Sequence, residues 1–460
     1  MAEVRVFFLI RFIVGPMEKQ NVKLERALGL ASTFFVVTGS VIGSGVFLVA
    51  TDIANAVPGP YWGLSTWIVA GTISFLGGLI FAELGTRFPN AGGQYVYLKE
   101  AFHPLLGFLF GWTLILVVQA GSIAAVAIAF ARFFASGVSF PVHSQWLASV
   151  AVVLLTSLNC LGIKKGVGFL DGITAIKILA IIALALCGLF FSGAGGADLA
   201  STGFPRASSY GVALIAAFWA FDGWNNLGFV AGEVKNPRRN IPLGLGFGIV
   251  AITVLYLFAN LTYFKFLTMD QIAGSQFVAA DAARQILGEN GTALAALFVS
   301  LSALGCTNGL ILSGARVIYA MAKDRKLPAL FAELNPKTHS PNKALIGQMV
   351  WSLILVWSGS YDQLFTYVVF AAFIFYGLSG LAIFPLRKKN PSPGADVYLV
   401  PGYPVLPAVY AVFTLAFTIN ALIEKPLESL AGLALVLLGV PAYWYYEKKA
   451  KAFHSDEKAS

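Results

Sequence analysis

Thr38-Gly-Ser-Val-Ile-Gly-Ser-Gly-Val-Phe47 lies inside an apolar stretch, residues 30–51, and sets Gly39, Gly43, Gly45 and two serines at the middle of it. Small residues in such a place have two readings. They let helices approach closely, or they mark a helix that unwinds, which is tolerated at membrane depth only where protein or a polar cavity covers the freed N–H and C=O groups. One segment does not choose between them. A second one, Phe218-Trp-Ala-Phe-Asp-Gly-Trp-Asn-Asn226, puts Gly, Asp and two Asn into the middle of another apolar stretch, and it tips the reading towards broken helices.

The rest of the chain supplies the membrane. Of 460 residues 58% are hydrophobic and 12% charged, against roughly 45–50% and 25% in an ordinary soluble domain. A membrane helix takes about 20 apolar residues. Spans are read at 30–51, 63–86, 104–133, 145–163, 172–192, 210–232, 242–264, 292–321, 343–358, 361–386, 404–423 and 427–446. With twelve spans both termini share a side. Were that side the cytoplasm, its segments would hold 24 of the 31 Lys and Arg, and the opposite side only Arg206, Lys265, Arg284 and Lys425. This is the bias expected of cytoplasmic loops, and one missed helix would invert every loop after it. The expected class is therefore an all-α membrane protein.

Several functions are excluded at this level. The net charge of +9 is scattered between apolar stretches rather than gathered in one basic domain, so no nucleic-acid partner is expected. Cys160, Cys187 and Cys306 show no CxxC spacing and the four His are scattered, so neither a disulfide framework nor a metal site is indicated, and no cofactor is expected. Residues 1–16 hold an apolar run too short to span and no small-residue cleavage site; Met17 is an alternative start.

The two interrupted spans are the first and the sixth, in matching places of successive five-helix blocks. Paired, glycine-interrupted helices in two halves are what an inverted-repeat transporter needs: half-helix N-termini hold an anionic group, and freed carbonyls hold a cation or an ammonium. A zwitterionic amino acid suits such a site.

The motifs resemble a known family. Gly43-Ser44-Gly45-Val46-Phe47, Phe81-Ala-Glu-Leu-Gly-Thr-Arg-Phe-Pro-Asn-Ala-Gly-Gly-Gln-Tyr-Val-Tyr97, Gly223-Trp224-Asn225, Glu233-Val-Lys-Asn-Pro-Arg-Arg-Asn-Ile-Pro242 and Asn308-Gly309 with Arg316 are similar to those of the amino acid–polyamine–organocation superfamily, most closely its L-amino acid transporter branch, from about residue 25 to the last span. The resemblance implies a cytoplasmic segment 1–29, a first repeat over 30–192, a second over 210–386, added helices over 404–446 and a cytoplasmic tail 447–460. It implies a sodium-independent amino acid transporter of the cell membrane, commonly an exchanger. Its carboxylate-binding turn falls on Gly43, Ser44 and Gly45, so Gly45→Leu is expected to fill the carboxylate space. Its ammonium-binding carbonyls fall on Val41, Ile42, Trp219 and Phe221, and Trp219 takes the place of its aromatic gate beside Asp222 and Gly223. Some animal relatives join a heavy subunit through a cysteine in the loop after the third span. Residues 134–144 contain none, so no obligatory disulfide-linked heavy subunit is expected.

Charges within spans need their own account. Lys177, about six residues or 9 Å into the fifth span, either snorkels or faces the bundle interior. The family resemblance favours the interior, with Ser302 as partner, where sodium-coupled relatives hold an ion. Asp222 either caps the second half-helix of span six or serves cation recognition or proton coupling. Glu83 with Arg87, and Glu233 with Arg238 and Arg239, either gate the inner end or stop their helices at the interface. Asn236-Pro237 and Asn240-Ile-Pro242 read as helix breakers, and Phe375 and Tyr376 as packing or pocket wall.

An intramembrane hydrolase built on Ser44 lacks a base, since His103, His143, His339 and His454 all fall in or beside loops. A channel calls for a polar-lined pore or a ring of charge, which the sequence does not offer. Neutral amino acids are the first expectation for the substrate, with cationic or aromatic ones kept open by Asp222 and Trp219. Exchange and proton symport share this pattern.

Overall fold

A computed structural model describes residues 22–138, 143–191, 196, 203–358 and 361–459, with side chains left out over 361–368 and 451–459. Most of the N-terminal segment and part of the 134–144 loop lie outside the described residues. Those described fold into helices alone, joined by one isolated parallel bridge between Leu28 and Val234.

In chain order the helices are α1 (Leu30–Val41), α2 (Gly45–Leu48), α3 (Ala50–Ala56), α4 (Pro60–Arg87), α5 (Gln94–Ala101), α6 (Pro104–Thr113), α7 (Gln119–Val138), α8 (Ser144–Cys160), α9 (Ile163–Phe190) and α10 (Ala207–Phe221). There follow α11 (Asn226–Phe229), α12 (Pro237–Phe266), α13 (Met269–Ala273), α14 (Val278–Leu287), α15 (Glu289–Lys323), α16 (Asn342–Ser358), α17 (Tyr361–Lys389), α18 (Val405–Glu424), α19 (Pro426–Leu437) and α20 (Gly439–Ala459). Among the described residues nine helical runs are long and apolar enough to cross a bilayer, and Ser144–Cys160 and Ala207–Phe221 are shorter apolar helices.

Burial sorts these helices. The centre is formed by α1, α4, α10, α12 and α15, with α12 lying along both α1 and α4, and α15 along α7. On the rim, α8, α9, α16 and α18 expose Leu154, Leu179, Ile354 and Leu415. Large aliphatic side chains repeated on the outer faces of apolar helices are what hydrocarbon solvates. The molecule is a multi-pass membrane protein.

Local departures from the sequence expectations have simple causes. Asn236-Pro237 starts a helix rather than ending one: Asn236 is left-handed (φ 44°) and Pro237 is the first helical residue, where its missing N–H costs nothing. Pro242 sits inside the same helix. The helix that carries Lys177 begins at Ile163, not near 172. Lys177 is therefore fourteen residues along it, about 21 Å at 1.5 Å per residue, rather than about six.

Candidate functional site: two helix breaks around a small chamber

The first long segment stops being helical where the glycines fall. Helix α1 ends at Val41, Ile42 turns away (ψ 88°), and α2 resumes at Gly45. The second break lies directly against it. Helix α10 ends at Phe221, Asp222 is extended, and Gly223 takes φ +113°. A Cβ on Gly223 would stand 2.8 Å from the Ser40 carbonyl oxygen, so glycine is required there both for the turn and for the contact.

Both readings of the small residues hold, at different glycines. A Cβ at Gly39 would meet the Thr174 hydroxyl at 2.4 Å, which is close packing against α9. Gly43 lies in the break itself. The Gly45 position corrects an expectation: its Cβ would point at Ala220 Cα, 2.9 Å away, and not into open space.

The carbonyls freed by the break are largely taken up by side chains. The Lys177 ammonium donates to the oxygens of Gly39 (3.1 Å) and Ile42 (2.7 Å). The Ser302 hydroxyl reaches those of Ile42 (3.2 Å) and Gly43 (2.9 Å), and the Cys306 thiol reaches that of Ser40 (3.0 Å). Tyr256, from α12, points its hydroxyl at Val41 O (3.2 Å) and Ala220 O (3.1 Å), one on each broken segment. Lys177 is only 3% exposed, so its ammonium faces the bundle interior and does not snorkel. Ser302 is its neighbour through a shared acceptor, the Ile42 oxygen. That oxygen already has two protein donors, which removes it from the set expected to face an ammonium.

A chamber of about 30 Å3 remains between the breaks, lined by Val41, Gly43, Ser44, Gly45, Trp219 and Asp222 among others. Trp219 also borders a far larger cavity, about 850 Å3, that runs past Asp52 and Lys425 to one end of the bundle. On its other side Asp222 also borders a smaller space of about 20 Å3, beside Gln94, Asn225 and Tyr376. Thus the chamber adjoins the larger cavity through the shared wall residues Ser44, Gly45 and Trp219. The first N–H groups of a resumed helix have no intrahelical acceptor, and those of Gly43, Ser44 and Gly45 belong to residues in the chamber wall.

Asp222 does not cap the following helix, since Asn225 occupies the N-cap position. Its carboxylate accepts the Tyr376 hydroxyl at 2.5 Å, and Tyr376 stacks on Trp224 with centroids 5.4 Å apart. The Phe221 ring packs on Tyr256, so only its backbone is available to the chamber.

Glu83 and Glu233 stand apart from the chamber, near the basic end. Glu83 is fully buried and takes Arg87 (2.9 Å), Arg387 (2.6 Å) and the Val400 N–H (2.8 Å). Glu233 does not pair with Arg238 or Arg239, which are exposed. It holds Arg316 through two bonds of 2.9 and 3.0 Å, with both side chains buried.

Sequence reasoning missed Tyr256, Cys306 and the asparagine–glutamine contact between Asn225 and Gln94 (3.0 Å). The available signal was a polar or hydrogen-bonding side chain inside an apolar run. It missed Gly305 as well, where a Cβ would lie 2.7 Å from Lys177 Cε: the glycine makes room for the lysine.

Comparison with known proteins adds to this geometry. A family model described as amino acid permease matches residues 28–438. The chain is 30% identical over 443 residues to the mouse b(0,+)-type amino acid transporter 1, covering 93% of this chain and 89% of that protein. It is 29% identical over 449 residues to the rat large neutral amino acids transporter small subunit 2, covering 94% and 84%. To the human cystine/glutamate transporter it is 27% identical over 456 residues, covering 95% and 89%.

Proposed function

The chain belongs to the amino acid permease family, whose relatives here are membrane transporters of amino acids and not enzymes, and we propose that it exchanges neutral L-amino acids without sodium, by alternating access. In this reading twelve spans form a five-plus-five inverted repeat with two added helices, in the cell membrane, with both termini cytoplasmic. The large cavity is then the outer vestibule. The substrate carboxylate meets the N–H groups of Gly43, Ser44 and Gly45. Its ammonium meets the carbonyls of Val41, Trp219 and Phe221, and Trp219 separates chamber from vestibule. The protein works without a disulfide-linked heavy subunit.

The observation that carries the sodium-independent reading is the Lys177 ammonium seated on the Gly39 and Ile42 carbonyls. Oxygen atoms freed by a broken helix are good ligands for a hard cation, and here a covalently attached cation already occupies them. The large neutral amino acids named for one relative support the substrate class.

Purified protein in liposomes tests it. Vesicles preloaded with one unlabelled neutral amino acid should take up labelled neutral amino acids, with or without sodium, and empty vesicles should not. Uptake that needs sodium, or that fills empty vesicles under a sodium gradient, refutes the proposal. Asp222 with Tyr376 in the chamber wall favours a second reading, a proton-coupled symporter or an exchanger that accepts a cationic side chain; uptake into empty vesicles driven by a proton gradient would select symport.

A further inference from the structure

A further cavity, of about 120 Å3, lies between α9, α14 and α15, outside the chamber and the large cavity beside Lys425. Ala180, Leu184, Ala283, Leu294 and Phe298 are part of its wall, and Lys177 and Ser302 lie at its inner end. Among the described residues Lys177 is the single charged one lining it. Leu294 and Phe298, which fall in the apolar span 292–321, are among the exposed large side chains, so this wall of the cavity reaches the apolar outer face of α15.

The inner end is a built polar site. Lys177 is 3% exposed and Ser302 2%. Of the three ammonium N–H groups two have acceptors, the carbonyls of Gly39 and Ile42. A buried ammonium with a donor to spare, at the inner end of an apolar cavity that reaches the outer face of α15, complements a single-chain amphiphile with a small anionic head. The volume limits the choice. An apolar cavity of about 150 Å3 takes one benzene, so about six carbons fit inside and a longer chain continues along that face. A glycerophosphate head is too large to reach the lysine, and a carboxylate is not.

We propose that this cavity binds a medium-chain fatty acid from the bilayer, its carboxylate on Lys177 and its chain between α9 and α15.

The test reads binding to purified protein, independently of transport, so it can fail while the exchanger reading stands, and the reverse. A decanoic acid bearing a diazirine near its chain end is photolysed with the protein and the adducts are mapped by mass spectrometry. Adducts are expected in 180–187 and 283–298. Unlabelled decanoate should displace the probe at about tenfold lower concentration than decanol, a difference typical of one charge-assisted contact. In Lys177→Met the two competitors should become equal. In Ala295→Phe, which fills the cavity away from the chamber, labelling should disappear while the protein stays monodisperse and its transport activity persists. Equal competition by decanol in the wild type, or undiminished labelling of Ala295→Phe, overturns the proposal.

Discussion

Lys177 brings a charge to the middle of a 28-residue apolar helix, where an ionised side chain is costly unless it finds partners inside the bundle. It finds them in two carbonyls that have lost their helical donors, so lysine and broken helix satisfy each other. Lys177→Met should leave both sets of oxygens without a cation and reduce exchange in proteoliposomes by at least about a hundredfold, the weight of two charge-assisted hydrogen bonds, with the protein still monodisperse; activity within about twofold of wild type would contradict the role. Asp222 poses the complementary question. With Asn225 at the N-cap, its carboxylate is committed to Tyr376 and the chamber. Asparagine keeps an acceptor for the Tyr376 hydroxyl and removes the charge, so Asp222→Asn should fold and should shift the ratio of cationic to neutral amino acid uptake by about tenfold, or flatten the dependence of uptake on pH. Uptake profiles over a substrate panel at two pH values check this, and unchanged profiles would leave Asp222 a structural partner of Tyr376 alone.

The two broken elements hold together by backbone contact more than by side chains. Gly223 combines a positive φ with a 2.8 Å approach to Ser40. A Cβ there faces about 1–2 kcal/mol of left-handed strain as well as a clash with backbone that has little freedom to retreat. Gly223→Ala should therefore lower the melting temperature of the detergent-solubilised protein, while Gly43→Ala, whose nearest neighbour is the movable Cys306 Sγ at 3.1 Å, should lower it much less. Equal melting temperatures for the two variants would mean that the breaks are not locked against each other. Gly45→Leu is the poorer probe of a carboxylate space, because its Cβ strikes Ala220 first. The existence of the breaks was legible in the sequence from the two interrupted stretches taken together, since small residues in one stretch alone also serve close helix packing. Their partners were not: nothing local to residues 38–47 announces that Tyr256, two hundred residues on, shares a hydroxyl between Val41 and Ala220.

Across the whole molecule, buried ion pairs tie distant helices together at Glu83 and Glu233, away from the large cavity beside Lys425. Glu83 ties α4 to α17 through Arg387, and Glu233 ties the segment after α11 to α15 through Arg316. Removing one member of such a pair leaves an unpaired buried charge and costs about 3–5 kcal/mol, whereas replacing both by apolar groups of similar size is often neutral. Arg316→Met should thus destabilise the protein strongly, and Arg316→Met with Glu233→Met should recover most of the loss in thermal unfolding; an additive double variant would show that the pair is not the source of the stability. By itself the sequence determined that the chain is a multi-pass membrane protein and where two of its helices break, because hydrophobic length and glycine placement are properties of contiguous stretches. Only the tertiary structure decided that Glu233 pairs with Arg316 rather than with its neighbours Arg238 and Arg239, that Lys177 rests on the Ile42 carbonyl, and that Asp222 is bound to Tyr376. In hydrocarbon every charge and freed backbone group must find its partner inside the protein, and the packing of distant helices, not proximity along the chain, determines which partner is within reach.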